Sequence, residues 1–340
     1  MSLPQDIYSV ADLKCTDPTL KELLREYKEI HKQIRIGSSK PETLANLREA
    51  IEGKLIPVER LQALIREGEE NGDQHIFVYK PKASIKDQLR FDAVGAALGL
   101  NGRPFPDYTL SGDDWTWADF RDQAVQLGKG WTLKLYSQET SLVLKEKKEQ
   151  AGPHIVRVLL KYEKVEDRRV YVACLDQYGV LELRVPRSES RKRVSADLAT
   201  LWKKLQPALR SQDFVPWDVT DVAANMVMTD EEHADTFKVI DTSLWDSASG
   251  TAKFATSTED EDIEDAVDRK RAVESILNGG GSARQIGVMF MSEGSGGALT
   301  ESLWVLVGGA QDDYPNELII RSSTTRNGVD YVIGQLRSFE

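Results

Sequence analysis

Residues 155–186, IVRVLLKYEKVEDRRVYVACLDQYGVLELRVP, decide the fold class. Three runs rich in β-branched, aromatic and aliphatic residues, at 155–162, 170–176 and 180–185, are separated by polar intervals at 163–169 and 177–179. Such short intervals predict antiparallel neighbours, because a hairpin closes in a few residues whereas a parallel crossover needs a dozen or more. Upstream, 131–136 and 141–145 carry the same composition, so the period changes from helical to alternating at Trp131 and a sheet is predicted from there on.

Toward the amino end the period is helical. Leu20, Leu23, Leu24, Tyr27, Ile30 and Ile34 recur at steps of three and four, and Gly37 can end the segment. Pro41 suits a first helical turn, where its missing N–H would have no partner, and Leu44, Leu47 and Ile51 then line one side before Gly53. A third helix starts at Pro57, carries Val58, Leu61, Leu64 and Ile65, and stops at Gly68 or Asn71-Gly72. Residues 75–79, HIFVY, read as a strand, with further helices expected over 84–99, 113–127 and 195–210. Beyond these, the acidic block at 256–268 predicts a solvated loop leading into a helix that Gly279-Gly280-Gly281 would end. Strands at 286–291, 303–307, 318–321 and 329–333 would then form a meander. The expected architecture is α+β in three segments: a small helical bundle at 1–75, helices plus an antiparallel sheet at 76–230, and an acidic loop, helix and meander at 231–340.

Composition sets the outer limits. The chain has 340 residues, 40% hydrophobic and 29% charged, which excludes a disordered polyelectrolyte. Its 44 Lys and Arg against 55 Asp and Glu give a net charge of −11, so binding to nucleic acid or anionic lipid must be local. Cys15 and Cys174 allow at most one disulfide and fit a reducing compartment. No basic-then-apolar leader and no run of about 18 apolar residues occurs, so a cytoplasmic protein without membrane contact is expected.

The strongest chemical feature is the segment 184–193, RVPRSESRKR, at a strand-to-helix junction. Arg184, Arg187, Arg191, Lys192 and Arg193 set five cations against the single carboxylate of Glu189. Arginine forks match phosphate oxygens, so the segment could hold a nucleic-acid backbone without reading bases. The alternative is a solvated loop whose arginines meet the chain's own carboxylates. Tyr171, Tyr178 and Trp202 are close enough in sequence to stack on bases, although alternating aromatics in a sheet more often pack in its core.

A nuclease reading would use Asp176 and Glu182, carboxylates on neighbouring strands that could hold Mg²⁺ beside a phosphate. Arg184 stands where a lysine is usual two residues after such a glutamate, and a guanidinium is too weak an acid to serve as base. His31, His75, His154 and His233 show no paired ligand spacing, and the Gly-rich segments 279–282 and 294–297 lack the Lys-Ser/Thr of a phosphate loop. No cofactor is expected. Cys174, in a strand pattern without a nearby histidine, reads as a small buried hydrophobe.

Over residues 18–210 the order of elements resembles the centromere protein N family: a helical bundle, a helical linker, the strand RVYVACLD at 169–176, a second strand ending at Pro186 and an amphipathic helix through 198–209. The likeness is one of pattern, and the acidic block and net charge of −11 depart from the basic surface of a DNA-binding member. It implies a non-enzymatic adaptor, with a pyrin-like helical domain beside an α+β domain. Such a protein engages DNA backbone through a basic groove and partner proteins through other surfaces, here the N-terminal helical region; the remaining alternative is a purely protein-binding scaffold in which the helical bundle does the recognition.

Overall fold

The computed structural model describes residues 6–103, 105, 115–122, 130–151, 156–176, 179–229, 233, 235–246, 248, 250–256, 258, 261–308, 314–322 and 324–340. Four helices open the chain: α1 (Asp6–Lys14), α2 (Asp17–Lys28), α3 (Lys40–Glu52) and α4 (Val58–Asn71). Pro18 and Pro41 lie in the first turns of α2 and α3, and Pro57 is the N-cap of α4. The apolar spacing read from the sequence becomes a core of its own, in which Leu20, Leu24, Leu47, Leu61 and Ile65 are wholly buried. One expected helix is shorter than its pattern: α2 ends at Lys28, well before Gly37, and Ile30 is exposed.

The strands β1 (Gln74–Pro81), β2 (Thr116–Asp122), β3 (Trp131–Ala151), β4 (Val156–Leu175) and β5 (Leu181–Pro186) are followed by β6 (Phe214–Pro216) and β7 (Phe237–Trp245). The last four are β8 (Thr251–Ala255), β9 (Ser282–Phe290), β10 (Leu303–Val307) and β11 (Glu317–Ile320). All eleven belong to one sheet, in the order β2-β3-β4-β5-β1-β11-β10-β9-β7-β8, with β6 paired to the end of β1. Every pairing in it is antiparallel. Strands from either side of residue 230 therefore share a single sheet, joined where Gln74–Phe77 of β1 pair with residues 317–320 of β11. Local patterns identify strands without naming their neighbours, which is why this junction is invisible in sequence.

The central strand β1 is buried on both faces, as its unbroken apolar run requires. Phe77 and Tyr79 face a core shared with α5 (Phe91–Leu98) and α6 (Arg191–Leu205), while Ile76 and Val78 face a second core. That second core also takes in α7 (Thr220–Val227), α8 (Val267–Asn278) and α9 (Arg326–Ser338). The α+β class is thus as expected.

Three local expectations are corrected. Within 113–127, residues 116–122 form β2, because pairing with β3 covers that strand's edge; Trp117 and Phe120 read as helical only because they lie three apart. Residues 329–333 lie in α9, where Val329, Val332, Ile333 and Leu336 form a helical stripe and the Thr325 side chain accepts from the Gly328 amide at 3.1 Å. The polar interval 163–169 is not a connection but the middle of β4, which pairs with β3 from Val156 to Leu175. Beyond Ser137↔Arg169 this pair extends past the ends of β2 and β5 as a two-stranded ribbon. Among the described residues no helix is long and apolar enough to cross a membrane.

Candidate binding cleft between the helical bundle and the sheet

The last turn of α4 carries Glu69, Glu70 and Asn71 and contains no basic residue. Carboxylates at this end of a helix oppose its dipole, so the cations that stabilise them must come from elsewhere. The sheet supplies them. Lys134 of β3 donates to Glu69 Oε2 at 2.6 Å, Tyr136 donates to the same oxygen at 3.1 Å, and Arg168 of β4 pairs with Oε1. Glu70 pairs with Arg121 of β2. Burial alone would raise the Glu69 carboxyl, but Lys134 and Arg168 outweigh it and hold the group below the usual glutamate range. Tyr136, desolvated and beside Glu69, is pushed up to about 12.

Arg184, the first of the five cations named from the sequence, belongs to this buried network. It is 0% exposed and donates through Nη1 to the Glu70 carbonyl at 2.6 Å and to Asn71 Oδ1 at 2.8 Å. It therefore caps the C-terminus of α4 and cannot meet a phosphate from solvent, so it leaves the candidate set. Its neighbour Glu182, also 0% exposed, accepts from Arg184 Nε at 3.0 Å and from Arg326 Nη2 at 3.3 Å. Asp176 accepts from the Val180 amide at 2.7 Å and from Arg337 at 3.0 Å. Both carboxylates of the nuclease reading are thus committed to arginines and a hairpin turn inside the protein. Among the described residues no cluster of three or more His, Cys, Asp or Glu could hold a metal ion.

The remaining four cations lie at the surface. Arg187 follows β5 and pairs with Asp73 at 3.3 Å, the two side chains being 36% and 60% exposed. Arg191 makes two bonds to Glu317, at 2.6 and 2.7 Å, and lies over the Tyr314 ring. Lys192 is exposed and Arg193 partly so, both in the first turn of α6, which contains no acidic residue. The segment between Arg187 and α6 is fixed from below by His75: Nδ1 meets Glu317 Oε1 at 2.8 Å, and Nε2 lies 3.3 Å from both the amide and the carbonyl of Ser188. The expected alternative, arginines meeting the chain's own carboxylates, therefore describes Arg187 and Arg191.

Where β5 stops at Pro186 and β4 runs on, a cavity of about 140 Å³ opens between bundle and sheet. Its walls are Leu13 and Lys14 of α1, Gly68 and Glu69 of α4, Gly72-Asp73-Gln74, Arg168-Arg169-Val170 of β4, and Pro186-Arg187. Adjacent residues of a strand leave opposite faces, so Arg168 reaches Glu69 on one side while Arg169 reaches Asp197 of α6 at 2.6 Å on the other. The lining holds four cations, Lys14, Arg168, Arg169 and Arg187, against two carboxylates. Of these cations the sequence pattern singled out only Arg187. The signal for the others was the Arg168-Arg169 pair, hidden by reading 163–169 as a connection.

Two of the three aromatics pack against the sheet core, Trp202 only partly buried. Tyr171 is buried and stacked on Trp115 at 3.7 Å, and Trp202 packs against Tyr79 and Phe214. Tyr178 and His154 lie outside the described residues. Cys15 and Cys174 are both buried and not joined to each other. Neither a protein-family model nor a curated protein sequence matches this chain.

Proposed function

We propose that this protein is a non-enzymatic adaptor that holds a nucleic-acid backbone along the cations at the junction of bundle and sheet. The observation that carries the reading is the cationic run from Arg187 to Arg193, in which Lys192 is exposed, the Arg187 side chain 36% exposed and Arg193 partly exposed, in a chain of net charge −11. Exposed Lys192 and partly exposed Arg193 continue the positive surface beyond Arg187, and the first turn of α6 adds its own partial positive charge. Side chains of this kind position a phosphate backbone and carry no base code. The bundle serves a partner protein, for which Ile30, 70% exposed, is the contact residue. This combination is what the resemblance to the centromere protein N family implies, and membership of that family is part of the proposal.

The test is fluorescence anisotropy with short labelled DNA and RNA, single- and double-stranded, between about 50 and 200 mM salt. The parent should bind all of them with steep salt dependence. Replacing Arg187, Lys192 and Arg193 together by Glu should weaken binding for every sequence and flatten the salt slope by up to about three, each phosphate contact contributing about 0.9. Unchanged affinity in the folded triple variant would refute the interface.

A further inference from the structure

We infer that two copies of this chain associate edge to edge through β4, residues 157–167 pairing antiparallel with themselves about a two-fold axis at Tyr162, a contact that needs no nucleic acid. Among the described residues β5 pairs with β4 only from Val172 onward, so over 157–167 the strand has β3 on one side and no strand on the other. A two-stranded ribbon is marginally stable in water, and docking a second ribbon on its edge makes a sheet of four strands.

Sheet edges resist such pairing with bulges, prolines and lysines. The outer edge of β3 has two of these devices: its register shifts between Leu144 and Glu146, and Lys145, Lys147 and Lys148 lie at or just after the shift. The extra residue is on β3, so β4 runs unbroken. Its segment 156–167, VRVLLKYEKVED, contains no proline or glycine. Its charges are positive before Tyr162 and, Lys164 apart, negative after it.

That distribution is self-complementary. Residues at equal steps either side of Tyr162 face each other across the axis: Lys161 with Glu163, Leu159 with Val165 and Arg157 with Asp167, each twice by symmetry. The even positions set Leu160 opposite Lys164 and Val158 opposite Glu166, and no like charges meet. Moving the axis by one residue brings Lys161 or Glu163 opposite its own copy. Centring on Leu160 keeps one ionic match, Arg157 with Glu163, and centring on Lys164 sets that lysine against itself. Backbone direction agrees with the Tyr162 register. The Asp176 amide bonds the Val180 carbonyl at 2.9 Å, toward β5, and the amides of alternate residues leave a strand on the same edge. Even-numbered amides of β4 therefore point to the open edge, and the odd positions become the non-hydrogen-bonded pairs, where opposed side chains come closest. The ionic and apolar matches all fall at those positions. The pairing ends at Asp167, short of Val172, where β5 joins β4.

Sedimentation velocity on the full chain between about 1 and 100 μM should show a concentration-dependent shift from monomer toward dimer. Arg157→Asp and Asp167→Arg each set two like-charge pairs across the contact and should weaken it about tenfold. Neither creates a like-charge pair within the ribbon, where Arg157 lies opposite Gln150 and Asp167 opposite Glu139. An equimolar mixture of the two variants restores opposite charges at both places and should associate within about threefold of the parent, which also shows that both variants fold. At the dilute end the amides of Val158, Leu160, Tyr162, Lys164 and Glu166 should exchange as those of an open edge, and they should slow with concentration more than their odd-numbered neighbours. A sedimentation coefficient independent of concentration, association unaffected by either reversal, or a mixture no tighter than the single variants overturns the inference. Protection gained along β3 with none along β4 overturns it as well.

Discussion

Replacing Glu69 by alanine should be among the most destabilising single changes in this protein, and the structure gives the reason and the size. Glu69 is the shared anion between Lys134 and Arg168, whose side chains are 3% and 7% exposed. Its loss leaves two buried cations beside the Tyr136 ring, with Glu70 Oε1, 3.4 Å from Lys134, giving partial relief. Breaking a buried pair from one side costs about 3–5 kcal/mol, because the partner's desolvation is no longer offset. The remaining Glu70 contact places the expected loss near about 3 kcal/mol. Urea unfolding of Glu69→Ala, Lys134→Ala and the double variant measures the loss and its coupling, expected at about 2 kcal/mol because either single change already strands the partner. Arg60→Ala is the control: its pair with Glu26 is half exposed on both sides and should be worth no more than about 1 kcal/mol. The pH dependence carries the same sign. The folded-state values of Glu69 and Glu182 are depressed, so their contribution is complete above the unfolded glutamate value of about 4.3 and disappears as pH falls through the lower folded values. A loss below about 1 kcal/mol for Glu69→Ala, or strictly additive single changes, would refute the view that this network clamps the bundle to the sheet.

Two glycines should respond in opposite directions. A Cβ at Gly68 would lie 2.1 Å from the Lys14 carbonyl, so Gly68→Ala should cost about 1–3 kcal/mol in thermal unfolding and displace Lys14 from the cavity wall. A Cβ at Gly334, exposed within α9, meets nothing within 4 Å, and Gly334→Ala should stabilise by about 0.5–1 kcal/mol. In the ribbon, the pairs from Ser137↔Arg169 to Ala151↔Val156 have no third strand beside them among the described residues. Their amides should exchange with solvent faster than those of Leu133 and Ala173, which lie between β2 and β5; equal protection would show that the ribbon is covered in solution.

The elements most legible in sequence are those whose stabilising partners are near in the chain or whose burial is two-sided. The stripes of α2, α3 and α4, the HIFVY run of β1 and the LWVLV run of β10 needed no knowledge of tertiary structure. The misread elements have the opposite character. The Trp117-to-Phe120 spacing looks helical until β3 is known to lie alongside, and Val329, Val332 and Ile333 favour a strand by residue type but a helix by spacing. At 329–333 propensity and period disagreed and period was the better guide, whereas at 116–122 the period itself misled.

The cleft was less legible because its parts are far apart in sequence. Arg184 is separated from Asn71 by 113 residues and His75 from Glu317 by 242, distances over which no local pattern speaks. Glu182 and Arg184, alternating with buried Leu181, Leu183 and Val185, have the spacing of a half-solvated sheet, and only the arrival of α4 and α9 over that face turns them into an interior network. Yet two signs were present. Glu69 and Glu70 end a helix with no basic residue in its last turn, and Arg191, Lys192 and Arg193 begin one with no acidic residue in its first. Each arrangement opposes the helix dipole and makes sense only if another part of the chain answers it. The acidic end of α4 is met by Lys134, Arg168 and Arg184; the basic start of α6 is met by Glu317. The carboxylates are enclosed, whereas Lys192 remains exposed and Arg187 and Arg193 partly so. Compensation inside the protein therefore encloses the anions at the end of α4 more completely than the cations at the start of α6, which is how a chain of net charge −11 keeps Lys192 in contact with solvent.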